Sequence, residues 1–226
     1  MMNELRSGKS ERGSYSWSSR SRPILICAIF ALVCSTARSQ ESGPGEPPGG
    51  GRASQSWEDQ PDWVTSLAFL KDGRHLCVGT YEELLLRDAQ GSEGPKSLPL
   101  TPGYLKSLAV SPDGKLIAAG HYQALTLIDA ASWSVKRNVG DHPGYVTGVA
   151  FSPDGRLLAS ACEDGLARVW NVADGKALRL LQGHSYPVLA IAFSPDGKQI
   201  ATAAGDETRV TQPGEVKVWN TADGKV

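Results

Sequence analysis

With 226 residues the chain has room for one or two domains, and 40% hydrophobic with 21% charged residues describes a globular protein, not a disordered or fibrous one. Formal net charge is −1. Six basic residues (Arg6, Lys9, Arg12, Arg20, Arg22, Arg38) fall near the N-terminus against only Glu4 and Glu11. The rest is therefore mildly acidic, which argues against nucleic-acid binding through a basic surface.

The first element in the chain is a leader. Ile24 to Cys34 forms the only long apolar run. A bilayer crossing needs roughly 20 apolar residues, so this run is short for a membrane span. Basic residues before it and the small residues Ser35, Thr36 and Ala37 after it fit a secretory signal over residues 1–39. An uncleaved anchor and a leader without a targeting role are the alternatives. On the main reading the protein is exported, to a periplasm or the extracellular space. On the first alternative it is membrane-anchored by its N-terminal segment.

Residues 40–56 are rich in Gly, Pro and Ser and offer no large apolar side chain to bury, which reads as a flexible linker. Of four cysteines, Cys27 and Cys34 lie in the leader. Cys77 and Cys162 occupy non-equivalent places in non-adjacent repeats, so a bridge, which needs Cα atoms within about 7 Å, is not expected. Both read as small buried apolar residues.

From residue 57 onward the chain repeats. Asp–Gly turns recur at Asp72, Asp113, Asp154 and Asp196, at intervals of 41, 41 and 42 residues. Each is preceded by an alternating strand (64–70, 105–111, 146–152, 188–194) and followed by a second, small and apolar one. In the turn, proline presets φ, Asp bonds back to the backbone and Gly takes positive φ. A third strand follows over 83–89, 124–130, 166–172 and 215–221, and a second turn leads to a weaker fourth. Nothing after the leader has sustained helical periodicity. The spacing predicts an all-β array of four-stranded antiparallel units, about one propeller blade per period. The units span about 57–98, 99–139, 140–182 and 183–226.

These residues resemble the WD40 repeat family. Gly183–His184 before a first strand, the SPDG turns, and Val-Trp-Asn at 169–171 and 218–220 carry the likeness. The resemblance implies a WD40-type β-propeller with four recognisable blades, the last incomplete, as part of a larger propeller. A small ring closed by Ala53–Trp57 and two chains sharing one ring, a homo-oligomer, are the alternatives. It also implies a buried hydrogen-bonded tetrad in each complete repeat. These would be His142, Ser160, Asp164 and Trp170, then His184, Thr202, Asp206 and Trp219. The first two repeats depart from the pattern, with Gln60 and Arg87, then Thr101 and Ile128, where His and Trp belong. The signature Asp after Trp is Asn171 and Asn220.

His142, Ser160 and Asp164 also contain the residue types of a hydrolase triad, but no glycine-flanked nucleophile elbow accompanies them. No closely spaced metal ligands and no phosphate loop occur. No catalysis, cofactor or metal is therefore expected. Trp63, Tyr104 and Tyr145 share one position, just before the first strand, and amphipathic rings at a channel mouth suit a binding site. Packing between blades is the competing role for them. The loop between the second and third strands opens on the same face. It is lengthened around residues 207–214 in the last repeat and carries Glu82, Glu83, Glu163 and Asp164 in others. The expected function is a protein- or peptide-binding scaffold. The alternative is a sensor or accessory propeller of a larger enzyme.

Overall fold

Asp–Gly turns set the strand pattern. The computed structural model describes Ser56, Trp57, Gln60, residues 62–100, residues 103–206, Thr208 and residues 212–226. The leader and nearly all the linker lie outside the described residues, as do Thr101 and much of the 207–214 insertion. Ala53 also lies outside them, while Ser56 and Trp57 belong to no strand.

Among the described residues there is no helix, only thirteen strands. Blade one is a meander of β1 (Ser66–Phe69), β2 (His75–Gly79), β3 (Glu83–Asp88) and β4 (Lys96–Pro99), each pairing antiparallel with the next. Pro99 sits in the edge strand, where a missing N–H costs no ladder bond. Blade four contains β11 (Val188–Phe193), β12 (Gln199–Ala204) and β13 (Glu215–Asn220).

Blades two and three differ from the separate strands that the sequence suggests. They run together through two long strands. After β5 (Ser107–Val110), β6 (Leu116–Asp129) doubles back on itself, since the Ala130 N–H donates to the Lys115 carbonyl at 3.0 Å. Gln123, at φ +59°, makes the reversal. Then β7 (Ser134–Phe151) pairs first with the end of β6 and then, past residue 145, with β8 (Leu157–Cys162). One strand thus closes blade two and opens blade three. β9 (Leu166–Asn171) and β10 (Ala177–Gln182) complete the third blade.

The turn chemistry repeats with the period. Gly73, Gly114, Gly155 and Gly197 all have φ between +66° and +76°, a region that only glycine enters without penalty. The preceding Asp Oδ1 accepts the backbone N–H two residues on, at 2.9 Å from Arg74 and 3.0 Å from Lys115, Arg156 and Lys198. Ser111, Ser152 and Ser194 donate to the same carboxylates at 2.6 Å. At the next turn, Asp88, Asp129, Asn171 and Asn220 each accept an N–H from two residues ahead. An amide oxygen does this as well as a carboxylate, which accounts for Asn171 and Asn220 in the signature position. Asp88 does more: the Arg74 fork (3.1 and 3.0 Å) and then Ser92 hold its enclosed carboxyl well below the usual range.

Alternation along each strand puts the core between blades. Ile117 and Ala119 face blade one, with Cys77, Leu84 and Leu86. Their neighbours Ala118, Leu125 and Leu127 face blade three, with Leu158 and Trp170. Ala159, Ala167 and Val169 on the far side of blade three meet Ile200 and Trp219 of blade four. Cys77 and Cys162 are buried free thiols, and burial pushes Cys77 up to about 12.

Candidate partner-binding site

The buried polar sets come first, because they decide which polar residues remain for contact. Trp219 Nε1–H donates to Thr202 Oγ1 at 2.7 Å, and that hydroxyl lies 2.7 Å from His184 Nε2. His184 Nδ1 is 2.9 Å from Glu215 Oε2. A carboxylate only accepts, so Nδ1–H donates to Glu215. The relay runs Trp219, Thr202, His184, Glu215. Hydrogen bonds from His184, then Ser185, bring Glu215 down to about 2.

Blade three repeats the first three members. Trp170 Nε1–H donates to Ser160 Oγ at 2.9 Å, and Ser160 Oγ is 2.9 Å from His142 Nε2. Here Leu166 stands where blade four has Glu215, and His142 Nδ1 has no hydrogen-bond partner among the described residues. Burial, then the Arg168 guanidinium, push the His142 imidazole down to about 4. Gly140 gives the Trp170 ring its room, since a Cβ there would lie 2.0 Å from the indole.

The aspartates stand apart from the tetrads in which the resemblance places them. Asp164 Oδ2 accepts from Arg168 Nη2 at 2.6 Å, and its Oδ1 caps Leu166 N–H at 3.0 Å. Burial opposes ionisation of Asp164, yet Arg168 holds it below the ordinary carboxylate range. Asp206 Oδ1 accepts the Thr208 N–H at 2.9 Å. Arg168 takes the Asp164 carboxylate. Blade two, which lacks His and Trp at the family positions, has a different set. His121 Nε2 lies 2.9 Å from Thr126 Oγ1, which donates to Asn138 Oδ1 at 3.0 Å. Ser160 is fully buried and His142 is 3% exposed.

What remains for contact gathers at the end of the blades opposite the Asp–Gly turns. Tyr104 and Tyr145, from the segments before β5 and inside β7, have ring centroids 5.6 Å apart. Two further tyrosines pack against them. The Tyr81 ring lies tilted against Tyr104, centroids 3.6 Å apart, and Tyr122 likewise against Tyr145 at 4.8 Å. Tyr104 is 38% and Tyr122 36% exposed. Trp63 is 83% exposed and forms no ring contact with this cluster. Burial, then the neighbouring Tyr104, raise the Tyr145 hydroxyl above its ordinary pKa, so it stays a neutral donor.

Tyr104 adopts φ +67°, and Gln123 beside Tyr122 adopts +59°. Left-handed backbone costs a side-chain-bearing residue roughly 1–2 kcal/mol, and such strain concentrates at functional positions. Tyr104 N–H donates to the Tyr81 carbonyl, which fixes the two loops together. A cleft of about 460 Å³ opens beside this pair, lined by both rings, Glu82, Glu83 and Leu100. A second cleft, about 510 Å³, lies at the Asp–Gly end of blades three and four, with Arg179 and Lys198 but no aromatic ring. Among the described residues no group of three or more His, Cys, Asp or Glu is placed to hold a metal.

Comparison with known proteins agrees with this architecture. The family model described as "WD domain, G-beta repeat" matches residues 133–171 and 175–220. No curated protein matches in sequence. A solved structure titled "Structure of U3-55K" superposes with TM-score 0.64 at 21% identity, covering 74% of this chain. The match spans 51% of that protein, about half its length. Such identity speaks to the fold alone. Residues 133–171 and 175–220 match the WD40 repeat model, and the chain folds as antiparallel blades consistent with a WD40-type β-propeller.

Proposed function

We propose that the chain is a scaffold that binds a protein or peptide partner through its tyrosine cluster, performs no chemistry itself, and acts outside the cytoplasm. WD40 repeats support the interaction role in general. The observation that carries the finer reading is the cluster itself: four tyrosines from three blades, two of them more than a third exposed, beside strained backbone. Tyrosine supplies large contact area with few rotors, plus a hydroxyl for specificity. The buried His–Ser–Trp and His–Thr–Trp sets belong to the core and offer a substrate no access.

Peptides selected from a random display library on the full chain test this. Tyr104→Gly removes the ring and also relieves the positive φ, so loss of fold does not explain its effect. With Tyr145→Ala it is expected to weaken the selected peptides about 30-fold or more, as hot-spot truncation does. Unchanged affinity in both variants overturns the site.

Export rests on the leader pattern over residues 1–39. N-terminal sequencing of the protein from its native host is expected to begin between Arg38 and Gln40. A mature chain starting at Met1 contradicts a cleaved signal.

A further inference from the structure

The chain itself shows, one blade along, what an aromatic site of this kind holds. Lys106 Nζ lies 4.4 Å from the centroid of the Tyr145 ring and 3.0 Å from Glu163 Oε1. This is a cation held between a π face and a carboxylate, a favourable pairing when both are fixed in place. Lys106 stands seven residues before its Asp–Gly turn, and in blade one that position is Thr65. Tyr104, the repeat equivalent of Tyr145, therefore has no lysine at the corresponding place.

The cleft at Tyr104 has carboxylates too, but from other repeat positions, since the place of Glu163 is Tyr122 in blade two and Tyr81 in blade one. Tyr81, Tyr104, Glu82 and Glu83 line it, with Leu100 as an apolar wall and no basic residue among the described ones. Glu82 is exposed; Glu83 is half-buried and accepts a hydrogen bond from Ser97. Two carboxylates beside a pair of aromatic residues complement a cation. A guanidinium or ammonium on an aliphatic stem also suits Leu100, because such side chains lay their stems on apolar surface. The acidic balance of the repeats adds a long-range attraction of the same sign.

We propose that this cleft takes one arginine or lysine side chain of a partner peptide, its cation over Tyr104 and Tyr81 and its N–H donors on Glu82 and Glu83. The inference rests on the tyrosine cluster being the partner site, and it names the residue that the partner must present.

Heptapeptide libraries with one fixed central residue test it on the full chain. The centres are arginine, lysine, citrulline (the neutral shape of arginine), leucine and glutamate, with the other positions randomised. Arginine and lysine centres are expected to bind about tenfold tighter than citrulline, and the advantage to shrink as salt is raised. Glu82→Gln, a surface change that leaves the fold intact, and Tyr104→Gly are each expected to abolish the advantage, while Tyr145→Phe retains it. Binding that is equal for all centres, yet lost in Tyr104→Gly, overturns the cation preference and leaves the tyrosine site standing. Binding that Tyr104→Gly leaves unchanged in every library overturns both.

Discussion

Trp170→Ala is expected to destabilise the chain by about 3–5 kcal/mol, the range for removing a buried tryptophan. Trp170 is 4% exposed and packs from blade three onto Leu125, Leu127 and Val139 of blade two, so its ring is part of the joint between them. Truncation leaves a cavity that Gly140, already without a side chain, cannot fill. It also removes the N–H that Ser160 accepts. Trp170→Phe separates the two effects. It retains most of the ring and loses the hydrogen bond, and is expected to cost about 1 kcal/mol from that bond. Denaturant unfolding of the full chain gives both numbers. If Trp170→Ala costs under 1 kcal/mol, the indole does not hold the two blades together.

Acid is expected to remove about 3 kcal/mol of stability between pH 6.5 and pH 4 through His142 alone. Its imidazole titrates near 4 in the folded chain against 6.5 when exposed. Each unit of difference is worth about 1.4 kcal/mol. The sign follows from proton uptake. In that window the unfolded chain binds the proton and the folded one does not, so stability falls as pH falls, at up to about 1.4 kcal/mol per unit. Below pH 4 both forms are protonated and the loss levels off. A second loss then begins as carboxylates with depressed values, among them Asp72 and Glu215 near 2, take up protons. Their stabilisation is present above about pH 4 and disappears as pH drops towards 2. Stability measured against pH in parent and His142→Asn separates the stages. A slope between pH 6.5 and 4 that is the same in both chains excludes His142 as its source.

Much of the fold is legible in the sequence because its turns are made locally. Asp113, Gly114 and Ser111 bond among themselves and their immediate neighbours, and no distant residue is needed to predict the hairpin. The binding cluster is legible only in part. Tyr104 and Tyr145 each stand nine residues before an Asp–Gly turn, which aligns them with Trp63. Tyr81 and Tyr122 stand nine residues after one, a signal of equal regularity hidden at the end of a second strand. Their meeting with Tyr104 and Tyr145 depends on the next blade laying its first loop over the previous blade's middle loop, which no spacing within one repeat reveals. The misplaced aspartates have a different cause. Asp164 has the right offset from His142, but Arg168 competes for it at 2.6 Å, and only coordinates decide between two partners. Glu215 replaces Asp206 as the partner of His184 from another strand, beyond reach of a linear pattern.

Cores that lie between blades impose a schedule on synthesis. Cys77, Leu84 and Leu86 have their packing partners at Leu105, Ile117 and Ile128, so the first blade cannot bury that face by itself. A ribosome adds roughly 5–20 residues each second, which puts about 2–8 seconds between the emergence of the two halves. For that interval a nascent sheet shows water an aliphatic surface that nothing yet covers. The same wait recurs at every blade, each newcomer ending its predecessor's exposure and beginning its own.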